Sequence, residues 1–190
     1  MTIAVLYRRA LSADYGEILQ LQSENYISNL SEAERGQGFL SAQFSAEQTA
    51  QIAEDLGTMV AVVEGRVAGF LCAFRKEFET GSPVIAEMLR CYDRLNFEER
   101  PLSAFHSYIY GPVCIGRDYR GGGLLRGLYE AQKNDLAGKF EVGVAFVARN
   151  NPHSLSAHVA GLRMAEAGDF EVKGNRYAVL AFRVPPNRRK

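Results

Sequence analysis

The chain has no surplus of charge of either sign: 22 Lys and Arg stand against 22 Asp and Glu in 190 residues. A protein so balanced has no global field to hold nucleic acid or an anionic membrane, so any anion it binds must be met locally. Cysteine is scarce as well. Cys72, Cys91 and Cys114 are widely spaced, odd in number and set among apolar residues, which argues against a disulfide framework and for reduced thiols in a cytoplasmic protein. The Cys and His residues lack metal-finger spacing, and His153 and His158 miss the four-residue interval that puts two ligands on one helical face, so no metal site is expected. No stretch approaches the roughly 20 apolar residues of a membrane span, and no charged segment followed by an apolar run marks a leader. The one cluster of like charge, Arg188, Arg189 and Lys190 after Pro185 and Pro186, reads as a solvated basic tail over 185–190.

A hydrophobic content of 47% is enough to bury one good core, so a single domain with its ordered part over 3–184 is expected. Residues 3–9 read as a strand. Ser12 or Asp14 can cap a helix carrying Ile18, Leu19, Leu21 and Tyr26. Ser31 and Glu34 have capping-box spacing, and a further helix over 46–56 follows Ser45. Residues 59–63 and 67–74 are apolar strands joined by Glu64, Gly65 and Arg66 as a hairpin. A helix over 84–95 either shapes a pocket or packs on the sheet through Ile85, Met88, Leu89 and Tyr92.

Residues 107–115 form a strand in which Pro112 cannot donate a ladder bond, so a bulge or splay is expected there. A helix running to about Leu136, a doubly buried strand over 140–147, a helix from Asn151 and Pro152 to near Gly168, and a strand over 177–184 complete the order. This predicts a mixed α/β domain: one twisted sheet with helices on both faces and a ligand at the carboxyl end of a central strand.

The segment over 113–125, VCIGRDYRGGGLL, is the most informative. A strand runs into a polar turn, and Gly121, Gly122 and Gly123 open a helix whose first amides have no partner within it. Free amides and the helix dipole suit an anion, and Arg120 adds a forked cation. An ordinary glycine loop is the plain alternative. A nucleotide-phosphate protein is a poor third reading, because the turn lacks the Lys and Ser or Thr of a P-loop and the ribose-binding acid of a dinucleotide fold.

Asn151, Ser154 and His158, spaced by three and four, lie on one stripe of the last helix. With Arg120 and Gly123 before them, the sequence here resembles the Gcn5-related N-acetyltransferase (GNAT) superfamily. Gly121 matches a common choice in that family's turn. Leu125 stands where a small residue is usual, His158 where a Tyr is usual, and Asp169 parts the Gly168 and Phe170 that would end the helix. The resemblance implies a mostly antiparallel sheet with a splayed central strand, and acetyl-CoA as donor. It places the pantetheine arm along the backbone of Val113 and Ile115 and beside Asn151 and Ser154. The pyrophosphate would fall on the amides of Gly121, Gly122, Gly123, Leu124 and Leu125.

An alkylamine must lose a proton before it attacks a thioester, the oxyanion needs a donor, and the departing thiolate gains from a proton. His158 is the candidate acid, or a histidine that only hydrogen-bonds. The amide of Val113 or Cys114 is the candidate oxyanion donor. Tyr110 and then His106, which share a face of the central strand with Tyr108, are candidate bases or packing residues, with Glu24 a further candidate. The Cys114 thiol itself reads as buried and inert. The expected activity is acetyl transfer to a primary amine by direct attack, the acceptor a small molecule, with no metal, nucleic acid or membrane partner and a homodimer left open. The alternative is an acyl-CoA-binding sensor without turnover. Phe39, Phe44, Tyr92, Phe97 and Phe105 are core or pocket lining.

Overall fold

The apolar runs assemble into one sheet. The computed structural model describes residues 4–187, so Ile3 of the expected first strand and the basic residues Arg188, Arg189 and Lys190 lie outside the described residues. The chain runs β1 (Val5–Arg9), α1 (Tyr15–Asn25), α2 (Glu32–Arg35), α3 (Ala46–Glu54), β2 (Thr58–Val63), β3 (Arg66–Phe74) and α4 (Pro83–Arg90). Two short strands, β4 (Asn96–Phe97) and β5 (Arg100–Pro101), pair with each other. Then come β6 (Ser107–Ile115), α5 (Leu124–Asp135), β7 (Val142–Ala148), α6 (Pro152–Ser156), β8 (Ala165–Val172) and β9 (Asn175–Arg183).

Seven strands form the sheet in the order β1-β2-β3-β6-β7-β9-β8. Every neighbouring pair is antiparallel except β6 and β7. Helices cover both faces. Ile18 of α1, Ile52 of α3 and Met88 of α4 pack with Phe70, Phe74 and Val144 on one side. Leu124 and Leu128 of α5 pack with Leu71, Tyr108 and Phe182 on the other. Because side chains alternate across a strand, Phe70 and Leu71 serve opposite cores, which is why these strands are apolar throughout. Among the described residues no helix is long and apolar enough to cross a membrane.

Local chemistry accounts for the boundaries. Capping boxes start α2 at Ser31 with Glu34 and α3 at Ser45 with Gln48. Glu64 and Gly65, with φ of 49° and 81°, make the tight turn of the β2–β3 hairpin. Asp14 does not cap α1 with its side chain; it accepts from Arg8 at 2.6 and 3.0 Å and from the Leu11 amide at 2.7 Å. The helix expected to reach Leu95 stops at Arg90, and Leu95 is reached through turns.

The larger correction concerns the segment after Asn151. The expected helix to Gly168 is short: α6 passes into a wider π-helical stretch, Ala157–Gly161, and ends. Gly168, Asp169 and Phe170 do not terminate a helix but lie in β8, an edge strand. A bulge between Glu166 and Gly168 slips the alternation by one, so Ala167 and Phe170, three apart, both face the core and imitate helical spacing. Gly168 has φ 138°, and a Cβ there would stand 2.8 Å from Leu95.

The feature that positions the site is the departure of β6 from β7. Their parallel pairing covers only Ser107, Tyr108 and Ile109 opposite Val142, Gly143 and Val144. The ladder with β3 is interrupted at the same point: Tyr110 faces Ala73 and Val113 faces Leu71, so Gly111 and Pro112 bulge across from one residue. Pro112, preceded by a cis peptide bond, offers no amide to β7 and the strands part beyond it.

Candidate active site

The parting of β6 and β7 opens a cleft through the sheet, and the bulge decides what faces it. On the β3 side, the Gly116 amide donates to Ala68 O at 2.8 Å. By the alternation of an antiparallel ladder, Cys114 also turns its backbone toward β3, while Val113 and Ile115 turn theirs toward the cleft. Ile115 O accepts from the Arg120 Nε at 3.3 Å on that far side. Two backbone rungs are therefore presented to a strand-like ligand at the places expected of Val113 and Ile115. The Cys114 amide is turned away, so of the expected pair only the Val113 amide faces the cleft. Burial pushes the Cys114 thiol up to about 12, consistent with an inert side chain.

Two cavities occupy the cleft. The larger, about 370 Å³, runs from Val113 and Ile115 past Gly121 and Gly123 to Leu124 and Leu125. Gly121 and Gly123 have φ of 76° and 83°, where a side chain is strained, and no atom would lie within 4 Å of a Cβ on either. No side chain caps α5, so its first-turn amides have no side-chain partner, and Leu124 and Leu125 line the cavity. Gly122 is the exception among the glycines: it does not line the cavity, and its amide donates to Tyr119 O at 3.4 Å.

Arg120 has a different first duty from the one expected. Its guanidinium donates to Asn25 Oδ1 at 2.6 Å, Gln37 O at 3.0 Å and Ile115 O at 3.3 Å, lacing α1, the segment before α3 and β6 together. All three acceptors are neutral, and Arg120 forms no salt bridge among the described residues, so its charge stays available to an anion in the cavity it lines. Arg120→Lys keeps the charge but loses the planar fork. It is expected to cost about 1–3 kcal/mol by stranding the buried Asn25 oxygen, read as a lower melting temperature.

The smaller cavity, about 90 Å³, lies deeper between Tyr110, Pro112 and Phe146 and shares Val113, Ser154 and His158 with the first. At this junction the stripe of α6 is assembled. Asn151 Oδ1 caps the helix by accepting from the Ser154 amide at 3.3 Å, and its Nδ2 donates to Phe39 O at 3.0 Å. Ser154 O lies 2.7 Å from His158 Nδ1. A carbonyl can only accept, so Nδ1 carries the proton and Nε2 is left with a lone pair. The Tyr110 hydroxyl, 3.3 Å from Nε2, then donates to it. Burial lowers the His158 pKa below its ordinary 6.5 and holds that of Tyr110 well above 10.0, so both are neutral at pH 7. The π-helical widening carries His158 into this position, with Met164 N donating to its carbonyl at 3.1 Å.

No family model and no curated protein matches the chain. Solved structures do. A GNAT-family acetyltransferase from Streptococcus agalactiae superposes with a TM-score of 0.65 at 12% identity, over 94% of this chain and 95% of that one. An N-acetyltransferase from Staphylococcus aureus gives 0.62 at 15% identity, over 95% and 99%. The yncA protein of Salmonella typhimurium, solved with its cofactor acetyl-CoA, gives 0.59 at 13% identity, over 98% of each. The chain has the GNAT fold.

Within the GNAT fold, most of the expected site residues line the β6–β7 cleft, and two candidate bases do not. His106 lies immediately before β6, four residues or about 13 Å from Tyr110. Its ring lies 4.7 Å from that of Phe140, and it is exposed at the far end of the sheet. Sharing a strand face does not bring it to the cleft. Glu24 is exposed, accepts from Gln20 at 2.7 Å and lines neither cavity. Phe39 and Phe44 line the cleft, whereas Tyr92, Phe97 and Phe105 belong to the core. Gln37, Leu40 and Arg126 were not expected at the site and line the larger cavity. Arg126 carried a signal: a cation in the first turn of α5 opposes the helix dipole, and its bond to Gly161 O at 2.5 Å accounts for only part of its donors. Among the described residues no group of three His, Cys, Asp or Glu could hold a metal.

Proposed function

We propose that this protein transfers the acetyl group of acetyl-CoA to a small-molecule amine by direct attack. The observation that carries the reading is the continuity of the cleft: backbone rungs at Val113 and Ile115, Gly121, Gly123 and the uncapped start of α5 at one end, and the Tyr110–His158 pair at the other. The rungs suit the amide-bearing pantetheine arm, and the amides with Arg120 suit the pyrophosphate. Asn151 helps indirectly, since its side chain is committed to capping α6 and holding Phe39, and Ser154 orients His158 through its carbonyl.

The pair supplies both proton steps. As the amine nitrogen attacks, it releases a proton to the Tyr110 oxygen while Tyr110 passes its own to His158 Nε2. The imidazolium so formed is desolvated, more acidic than a thiol of pKa near 8.5, and returns the proton through Tyr110 to the leaving sulfur. His158 begins as the acceptor and Tyr110 as the donor, the reverse of the roles assigned from sequence. The Val113 amide stabilises the oxyanion. A pair buried at the end of the donor cavity favours turnover over a sensor, which needs no proton relay.

Thermal denaturation tests the reading. Acetyl-CoA at 100 times its dissociation constant is expected to stabilise the protein by about 2.7 kcal/mol. No shift with any acyl-CoA would overturn it, and a shift without thiol release over a broad panel of amines would establish the sensor instead. The pH profile follows from His158. The relay needs Nε2 unprotonated, and the lowered pKa keeps it so down to pH 6.5 and below. With an amine that stays neutral over the range, kcat/KM is expected to be flat above pH 6.5 and to fall only below it; an acid limb centred above pH 7 would rule His158 out as the acceptor.

A further inference from the structure

We infer that the acceptor is an aromatic amine whose nitrogen is bound directly to the ring, an inference that rests on the acetyl-transfer reading above. The deep cavity has no Asp, Glu, Lys or Arg in its wall. Its walls are rings and branched carbons instead: Phe39, Phe44, Phe74, Phe146, Ile85 and Ile109. Phe44 and Phe74 meet edge to face at 5.7 Å in this wall, the arrangement aromatic rings prefer. The polar side chains at its inner end are already engaged: Asn151 in capping α6 and holding Phe39, Tyr110 and His158 with each other, and the His158 Nδ1 with Ser154 O.

An alkylammonium entering this cavity would leave water with no counter-charge, which is strongly unfavourable. A zwitterionic amino acid or a polyamine would bring a second charge with no partner. An aromatic amine has its lone pair drawn into the ring and is neutral at pH 7, so it enters without losing a proton first. This also explains why no carboxylate base stands in the cleft. The reaction is R–NH2 with the acetyl thioester: the N–C bond forms, the C–S bond breaks with its electron pair going to sulfur, and one nitrogen proton travels through Tyr110 and His158 to that sulfur. The products are the anilide and free CoA thiol.

The test compares aniline with cyclohexylamine, a ring of the same size carrying an alkylamine, and with L-phenylalanine, by thiol release at pH 7 and saturating acetyl-CoA. Aniline is expected to exceed both in kcat/KM by about tenfold or more. Equal or better use of cyclohexylamine or phenylalanine overturns the assignment while leaving acetyl transfer standing. Thiol release with none of the amines likewise overturns it, as does a preference for a longer acyl-CoA, which would give the cavity to the acyl chain. Absence of any acyl-CoA thermal shift instead removes the acetyl-transfer reading itself. Ser41→Asp places a carboxylate on an exposed rim residue of the same cavity, where folding is not at stake. It is expected to move the aniline-to-cyclohexylamine ratio toward cyclohexylamine by several-fold, and an unchanged ratio counts against charge exclusion as the basis of selection.

Discussion

Replacing Tyr110 with Phe is expected to lower kcat by about 10²-fold or more while leaving acetyl-CoA affinity nearly unchanged. The substitution removes one oxygen and keeps the ring, and the ring is what packs. Its centroid lies 5.6 Å from those of His158 and Phe182 and 6.3 Å from that of Tyr129, all near-perpendicular. What is lost is the hydroxyl that donates to His158 Nε2 and that the proposed relay runs through. On the proposed reading the donor substrate is held by the rungs of β6 and the amides of α5, and Tyr110 does not line that cavity, so the loss is expected to fall on turnover.

His158→Gln should show the same loss for a complementary reason: an amide can accept from Tyr110 but cannot hold a proton and return it. Because the two groups form one relay, the double variant is expected to be hardly worse than either single one. Additive losses would mean two independent roles, and an unchanged kcat in Tyr110→Phe would mean the relay does not run through the phenol. Single-turnover thiol release separates these outcomes from any change in product release.

How much of this was legible in the sequence depends on the range over which each feature is encoded. Pro112 announces the splay by itself, because a residue without an amide cannot continue a central ladder. Asn151 and Pro152 announce the start of α6 within two residues, as cap and first-turn proline. The long apolar runs of β2, β3, β6, β7 and β9 needed only their own composition. β8 was hidden by the bulge at Gly168, which turned an alternating strand into an apparent helical stripe.

The side-chain partnerships were hidden for another reason: they join segments far apart in the chain. Arg120 meets Asn25 and Gln37 across 95 and 83 residues, so its position beside the glycine turn suggested only a phosphate ligand. Tyr110 and His158, 48 residues apart, were each a candidate, but only the carbonyl of Ser154 fixes which of them donates. His106 shows the converse error: a pattern local to the strand placed it correctly on a face and wrongly at the site.

Gly143→Ala is expected to be the most disruptive small substitution in the sheet, because the Phe182 ring lies across the glycine. The two residues are direct cross-strand partners of β7 and β9. A Cβ on Gly143 would come within 2.6 and 2.8 Å of Phe182 Cε2 and Cε1, and closer to Cζ. On the other side Gly143 pairs with Tyr108 of β6, so the strand cannot retreat without breaking the short parallel ladder that precedes the splay. The ring must move instead, and it is packed at 4.9 Å from Tyr129 and 5.6 Å from Tyr110. Overpacking of this kind costs about 1–3 kcal/mol, which for a chain of this length lowers the melting temperature by about 2–12 °C. The displacement also reaches the site, since Tyr110 holds its contact with His158 at an already long 3.3 Å. A further shift approaching 1 Å would cost up to about 10²-fold in kcat. The companion change Phe182→Leu removes the obstructing ring, so in the Gly143→Ala background it should recover stability rather than lose more. That reversal is the signature of direct contact between the two positions. A Gly143→Ala protein with unchanged melting temperature and unchanged kcat would show that the ring and the strand yield without strain, and that the aromatic cluster does not position Tyr110.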